Sequence, residues 1–155
     1  MDKARTVAIG EGGWPEGLND LAESPCAGLW VRGADDRAAP EGWVAIVGTR
    51  AADPAGIRAA QEIAARVVEH GLGVISGGAM GVDAAAHLGA LDACGATVAV
   101  LAGGVDRPSP ARNGALFERL LVEGGGLWSE SPPGRRPHRG SFLYRNRLIA
   151  AAAAV

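Results

Sequence analysis

The chain has 155 residues, 48% of them hydrophobic and 21% charged, enough for one domain with a buried core. Its formal net charge of −2 excludes attraction to polyanions through bulk basicity, so a nucleic-acid site would have to be a local cationic surface. No apolar run approaches the ~20 residues that cross a bilayer, and Cys26 and Cys94 stand far apart with no C-x-x-C pair, so the expectation is a cytoplasmic protein without membrane contact, disulfide, zinc or other cofactor.

Residues 1 to 42 read as an irregular lead-in packing on a domain that spans 43 to 155, and Leu29 to Arg32 is the lead-in's one predicted strand. From Trp43 the pattern is regular. Val44 to Val47 is a continuous apolar run ending at Gly48, as in a strand buried on both faces. Asp53 supplies an N-cap and Pro54 a preset first helical residue. Ile57, Ala60, Ile63, Ala64, Val67 and Val68 recur at helical spacing, and Gly71 sits where a left-handed C-cap ends the helix. A strand at Leu72 to Ile75 then runs through a glycine turn into a helix from about Ala84 to Gly95, capped by Asp83, with Cys94 packed as a small hydrophobe at its end. Thr97 to Leu101 reads as a strand, Gly114 to Glu123 as a helix, Leu127 to Ser129 as a strand, and a last helix starts around Ser141. Alternating strands and helices imply an α/β fold, a doubly wound and mostly parallel sheet with helices on both faces. The chain stops at Val155 where such a sheet usually continues, so the fold is expected to lack its last strands.

In sheets of this kind the ligand lies beyond the carboxyl ends of the strands, where Gly48 to Arg50, Ser76 to Gly81 and Gly103 to Asp106 all fall. The segment Ser76-Gly77-Gly78-Ala79-Met80-Gly81 joins a strand to a helix start, and its glycines allow main-chain amides to line a nest for an anion. On this reading a side chain at Gly78 would fill the space that a phosphate needs. Gly48-Thr49-Arg50 would aim a guanidinium fork at the same crevice. Arg145-Asn146-Arg147, with Phe142 and Tyr144 just before them, combine two guanidiniums, an amide and two aromatics, the chemistry that unpaired nucleic acid asks for. Arg135, Arg136 and Arg139 read as a basic loop adding attraction without specificity. Asp83 and His87 share a helix face, but no third metal ligand is evident, and capping by Asp83 and packing of His87 is the favoured reading. Glu130 is a crevice carboxylate for which the sequence locates no partner.

Taken in order, VAIVGTR, SGGAMGVDAAAH, GATVAVLAGGVD, Ser129-Glu130 and FLYRNRLIAA resemble the DNA-processing family DprA, also called Smf, over nearly the whole chain. The lead-in residues Trp14-Pro15, Ser24-Pro25 and Leu29 to Gly33 fit the same resemblance. It implies a Rossmann-like domain that binds single-stranded DNA without catalytic turnover, shields incoming strands in natural transformation and helps load the RecA recombinase; the family's homodimer and RecA-facing surfaces are expected in the strands and helices that follow the RNR helix, past the end of this sequence. Carried over by motif, the DNA or phosphate site comprises Gly48, Thr49, Arg50, Ser76, Gly77, Gly78, Ala79, Met80, Gly81, Asp83, Phe142, Arg145, Asn146 and Arg147. Members often have lysine where Met80 stands and tyrosine-proline where Ser109-Pro110 stands, and Arg112 is the candidate to replace the lost charge. Two alternatives stand beside it. One is a nucleotide sensor or phosphoribohydrolase like the LOG family, whose P-G-G-x-G-T-x-x-E loop is met here by Ala102-Gly103-Gly104-Val105-Asp106, without the threonine and glutamate. The other is an inactive truncated copy.

Overall fold

The computed structural model describes residues 3–33 and 40–153; the chain end at Val155 and part of the lead-in lie outside them. Six strands form one sheet: β1 Arg5–Ala8, β2 Gly28–Gly33, β3 Trp43–Ala45, β4 Gly73–Ser76, β5 Thr97–Val100 and β6 Gly126–Ser129, in the order β1-β2-β6-β5-β4-β3. The last four run parallel to one another, whereas β2 is antiparallel to β6, and β1 to β2. Four helices accompany them: α1 Pro54–Glu69, α2 Val82–Asp92, α3 Gly114–Val122 and α4 Arg139–Ala152. The expected mixed α/β fold, with helices on both faces of a mostly parallel sheet, is what forms.

Side chains alternate across each strand, and this sorts the core into two layers. Ile75, Val98, Val100 and Trp128 face Leu148 and Ile149 of α4 together with Trp14 and Leu18 from the lead-in. Their neighbours Val74, Ala99 and Leu127 face the opposite layer, where Ala64, Ala86, Ala90, Leu116, Phe117 and Leu120 of α1, α2 and α3 pack. Strands β4, β5 and β6 are therefore buried throughout and read as unbroken apolar runs. Between α1 and α2 the backbones come close, since a Cβ on Gly89 would lie 2.4 Å from the Gln61 carbonyl oxygen.

Several local expectations change. Strand β1 is an addition to the expected elements: only Val7 of its four residues is buried, and Val7-Ala8-Ile9 is too short an apolar stretch to mark a strand by itself. Val44 to Val47 is not buried on both faces: β3 is an edge strand, and Val47 is 57% exposed just beyond it. Cys94 is exposed in a left-handed conformation at φ 57°, and the close packing at that helix end belongs to Gly95, whose Cβ would strike Val68. Helix α4 begins at Arg139, two residues early, because the Ser141 hydroxyl accepts from the His138 amide and donates to the His138 carbonyl. By contrast, Asp53 caps α1 by accepting from the Gly56 amide at 2.7 Å, and Gly71 follows the helix at φ 76°, both as expected.

His87 is wholly buried between α2 and the sheet. The Thr97 hydroxyl donates to the Val74 carbonyl, so it accepts from His87 Nδ1 at 2.7 Å, and this places the imidazole proton on Nδ1. Nε2 is left buried with no partner. Burial first, and then the nearby charge of Arg145, lowers the His87 pKa to about 3. The folded value thus lies below the ordinary 6.5, and the unfolded chain takes up a proton that the folded chain refuses. This contribution to stability is complete above pH 6.5 and is lost as the pH falls towards 3, at up to about 1.4 kcal/mol per pH unit. Urea unfolding between pH 7.5 and 4 should therefore show a steeper loss for the parent chain than for His87→Gln; parallel curves would contradict the buried neutral imidazole. Gly89→Val, which forces α1 and α2 apart, should lower stability by roughly 1–3 kcal/mol in the same assay with the denaturant slope unchanged.

Candidate functional site

Three segments converge at the carboxyl end of the parallel strands: the Gly48–Arg50 turn after β3, the glycine loop after β4, and the loop after β5. Helix α4 lies against them. Gly81 joins the first two, since it has φ +81°, a Cβ there would lie 2.2 Å from the Thr49 carbonyl oxygen, and that oxygen accepts from the Val82 amide. Only glycine allows this approach. The Thr49 hydroxyl accepts from the Ala51 amide and so closes its own turn.

Asp83 is not the helix cap. Helix α2 begins at Val82 behind Gly81, and the Asp83 carboxylate, 5% exposed, turns back under the loops. There it accepts from the amides of Gly77 at 3.2 Å, Ala79 at 3.3 Å and Gly48 at 3.4 Å. Two amides of the expected anion nest are thus already satisfied by a protein anion. Among the described residues, the amides of Gly78, Met80 and Gly81 have no protein acceptor. Gly78 has φ +67°, and its Cβ would point at Phe117, 2.8 Å away, not into the space a phosphate would occupy. Its carbonyl accepts from Asn113 Nδ2 at 2.9 Å.

In front of the loop lies a cleft of about 290 Å³ that brings together Arg50, Gly77, Ala79, Met80, Arg112, Phe142 and Arg145, with Ser109 and Pro110 in its wall. No carboxylate lines it. The Arg50 and Arg112 side chains are exposed, and the Arg50 guanidinium lies 5.6 Å from the centroid of the Phe142 ring. On its other side Arg50 borders a second groove of about 500 Å³, where Gly48 and Asn146 of the expected set meet Ile149 of α4.

Not every expected residue offers a free polar group to this cleft. Ser76 is fully buried and donates to the Ile46 carbonyl at 2.6 Å, bracing two strands. Arg145 is 7% exposed, its Nη1 donates to the carbonyls of Gly77 at 2.8 Å and Val100, and its Nε donates to Asn146 Oδ1 at 3.2 Å. Burial lowers the Arg145 pKa, the charge of Asp83 opposing the shift and that of Arg50 adding to it. Arg147 points elsewhere: its Nη2 donates to Glu130 Oε2 at 2.5 Å, and its guanidinium covers the Tyr144 ring at 4.1 Å. Glu130 therefore has its partner in the helix register, a pairing that no spacing in the sequence reveals. Phe142 and Tyr144 lie inside α4, where a step of two residues, about 200° around the helix axis, sends Phe142 to the cleft and Tyr144 to Arg147. Arg139 belongs to the first turn of α4 and not to the basic loop.

The Gly103-Gly104 pair is closed off. A Cβ on Gly103 would lie 2.7 Å from Pro137 and one on Gly104 2.7 Å from the Pro132 carbonyl oxygen, while Asp106 accepts from the Gly134 amide. A segment covered in this way offers no open loop of the phosphoribohydrolase kind.

Against known proteins, the family model described as DNA recombination-mediator protein A matches residues 5–155. A DprA protein of Mycobacterium tuberculosis is 51% identical over 127 residues, covering 81% of this chain and 32% of that protein. The DNA processing protein DprA of Streptococcus pneumoniae is 33% identical over 137 residues, covering 88% of this chain and 47% of its own length. This chain thus spans between about a third and a half of these relatives. A solved structure of DNA processing protein A from Helicobacter pylori, described for its single-stranded DNA binding mode, superposes with a TM-score of 0.84 at 28% identity, covering 100% of this chain and 69% of that one. The Streptococcus pneumoniae DprA crystal structure gives a TM-score of 0.81 at 29% identity, covering 97% and 52%. With the sheet, the glycine loop and the arginine-bearing turn in place, the chain belongs to the DNA recombination-mediator protein A family, DprA or Smf.

Proposed function

We propose that this chain binds single-stranded DNA in the cleft between Arg50, Arg112 and Phe142. The observation that carries this reading is a carboxylate-free cleft framed by two exposed guanidiniums and an aromatic ring, set against a glycine loop with amides that no protein group takes up. Guanidinium forks match phosphate oxygens, and the adjacent ring offers a face to one base. Because every base has such a face, recognition is tolerant of sequence. Met80, Gly81 and Asn146 border the path, while Ser76, Arg145 and Arg147 support it from within. Family membership supports a role in DNA processing during natural transformation, in which the protein shields incoming strands in the cytoplasm, assists RecA loading, and works as a homodimer without catalysis.

A labelled oligothymidine should bind with an affinity that weakens as salt rises, each phosphate contact contributing about 0.7 to the log–log slope. Arg50→Ala should flatten that slope by about 0.7 as well as weaken binding. Phe142→Ala should weaken binding roughly tenfold while leaving the slope alone, since a stacked base releases no counterions. Binding that ignores both substitutions would remove the cleft from consideration. Incubation with AMP should release no adenine; free base would move the assignment to the hydrolase class.

A further inference from the structure

The glycine loop is held by two buried charges of opposite sign, and the peptide planes they grip determine where its remaining amides point. In a trans peptide the carbonyl and the following N–H point in opposite directions. The Gly77 carbonyl is drawn inward by Arg145 Nη1 at 2.8 Å, so the N–H of Gly78, on the far side of that plane, is turned away from Arg145. The Ala79 carbonyl accepts from the Ala84 amide at the start of α2, so the N–H of Met80 is turned away from that helix. Between them, the Gly77 and Ala79 amides are taken up by Asp83. Amides held by Asp83, those of Gly77 and Ala79, therefore alternate with amides that it does not hold, those of Gly78 and Met80. A Cβ on Gly77 would lie 2.6 Å from Arg145 Nη2 and 2.7 Å from Asp83 Oδ2, so both charges close directly on this residue.

We infer that Asp83 and Arg145 are positioning residues: they clamp Gly77 from both sides, fix the course of the loop so that the Met80 amide at the cleft is free for a phosphate of the bound strand, and touch no nucleic acid themselves. This rests on the single-stranded DNA reading above and deepens it. Lysine cannot replace Arg145, because a single ammonium cannot donate to the carbonyls of Gly77 and Val100 from the place of Nη1 and at the same time to Asn146 from the place of Nε. Nor does the local net charge decide the matter, since what the loop requires is the direction of one peptide plane.

The test compares Arg145→Lys, Arg145→Gln and Asp83→Asn with the parent chain, using oligothymidine titrations across a salt series and amide hydrogen exchange. Both Arg145 substitutions should weaken binding to a similar extent, roughly tenfold or more, with the salt slope unchanged. A phosphate ligand would behave differently: Arg145→Gln would flatten the slope by about 0.7 and Arg145→Lys would keep most of the affinity, and either result overturns the inference. Asp83→Asn, which leaves the Arg145 side chain in place, guards against misfolding of the Arg145 variants. It should speed exchange at Gly77 and Ala79 at least tenfold and weaken binding with a parallel salt line; unchanged exchange at both amides would refute the clamp. If the parent chain binds no oligothymidine, the functional reading fails, and exchange at Gly77 and Ala79 in Asp83→Asn decides the clamp by itself.

Discussion

One carboxylate holds together the end of the molecule that carries the cleft. Asp83 accepts from an amide of the turn after β3 and from two amides of the loop after β4, so two segments that would otherwise move separately share a buried anion. Such a group is stable only if its charge is compensated, and here main-chain donors, the positive end of α2 and the Coulomb field of Arg145 do this together. The arrangement explains the glycines better than ligand access alone does. Gly77 and Gly81 are small because protein atoms approach them, not only because a phosphate has to.

The same end of the structure shows how one helix serves two sites. Along α4, residues at positions 142, 145, 146 and 149 face the loops and the groove beside β3, whereas Tyr144 and Arg147 are turned to the Glu130 side. Arginines two positions apart are therefore not a paired fork. One lies under the glycine loop as a buried brace, and the other ties the end of β6 to the helix. Exposed cations at the cleft come instead from Arg50 and Arg112, which follow β3 and β5 on either side of β4 and meet because these parallel strands end at the same level.

The layered core makes this convergence rigid. Helices α1, α2 and α3 cover one face of the sheet, while α4 and the lead-in turn cover the other, so the strand ends are fixed from both sides. Buried His87 contributes a condition of its own: it packs as a neutral ring hydrogen-bonded to Thr97, and its ring has no place for a second proton. No helix among the described residues is long and apolar enough to cross a membrane.

Local order was largely legible in the amino-acid pattern. Asp53-Pro54 and Gly71 bound α1, the β-branched runs mark β4 and β5, and alternation of strand and helix implies the parallel sheet, because capping, left-handed glycine and apolar periodicity act within a few residues. The Gly48–Arg50 turn and the glycine loop could be named for the same reason, whereas Ser109, Pro110 and Arg112 were marked only by the family resemblance. What the pattern could not disclose is direction. Whether an amide of the glycine loop faces a ligand or Asp83, whether Arg145 is a ligand or a brace, and which carboxylate meets Arg147 depend on residues 6 to 68 positions apart and on how the loop folds between them. The short strand Arg5–Ala8 and the exposed edge at Val47 belong to the same class, since burial of a strand is set by its neighbours in the sheet. Composition and spacing thus determined the elements and the chemistry available at their ends. Only tertiary structure decided which of those groups face solvent, because burial and hydrogen-bond pairing between distant segments arise when the sheet and its helices close around them.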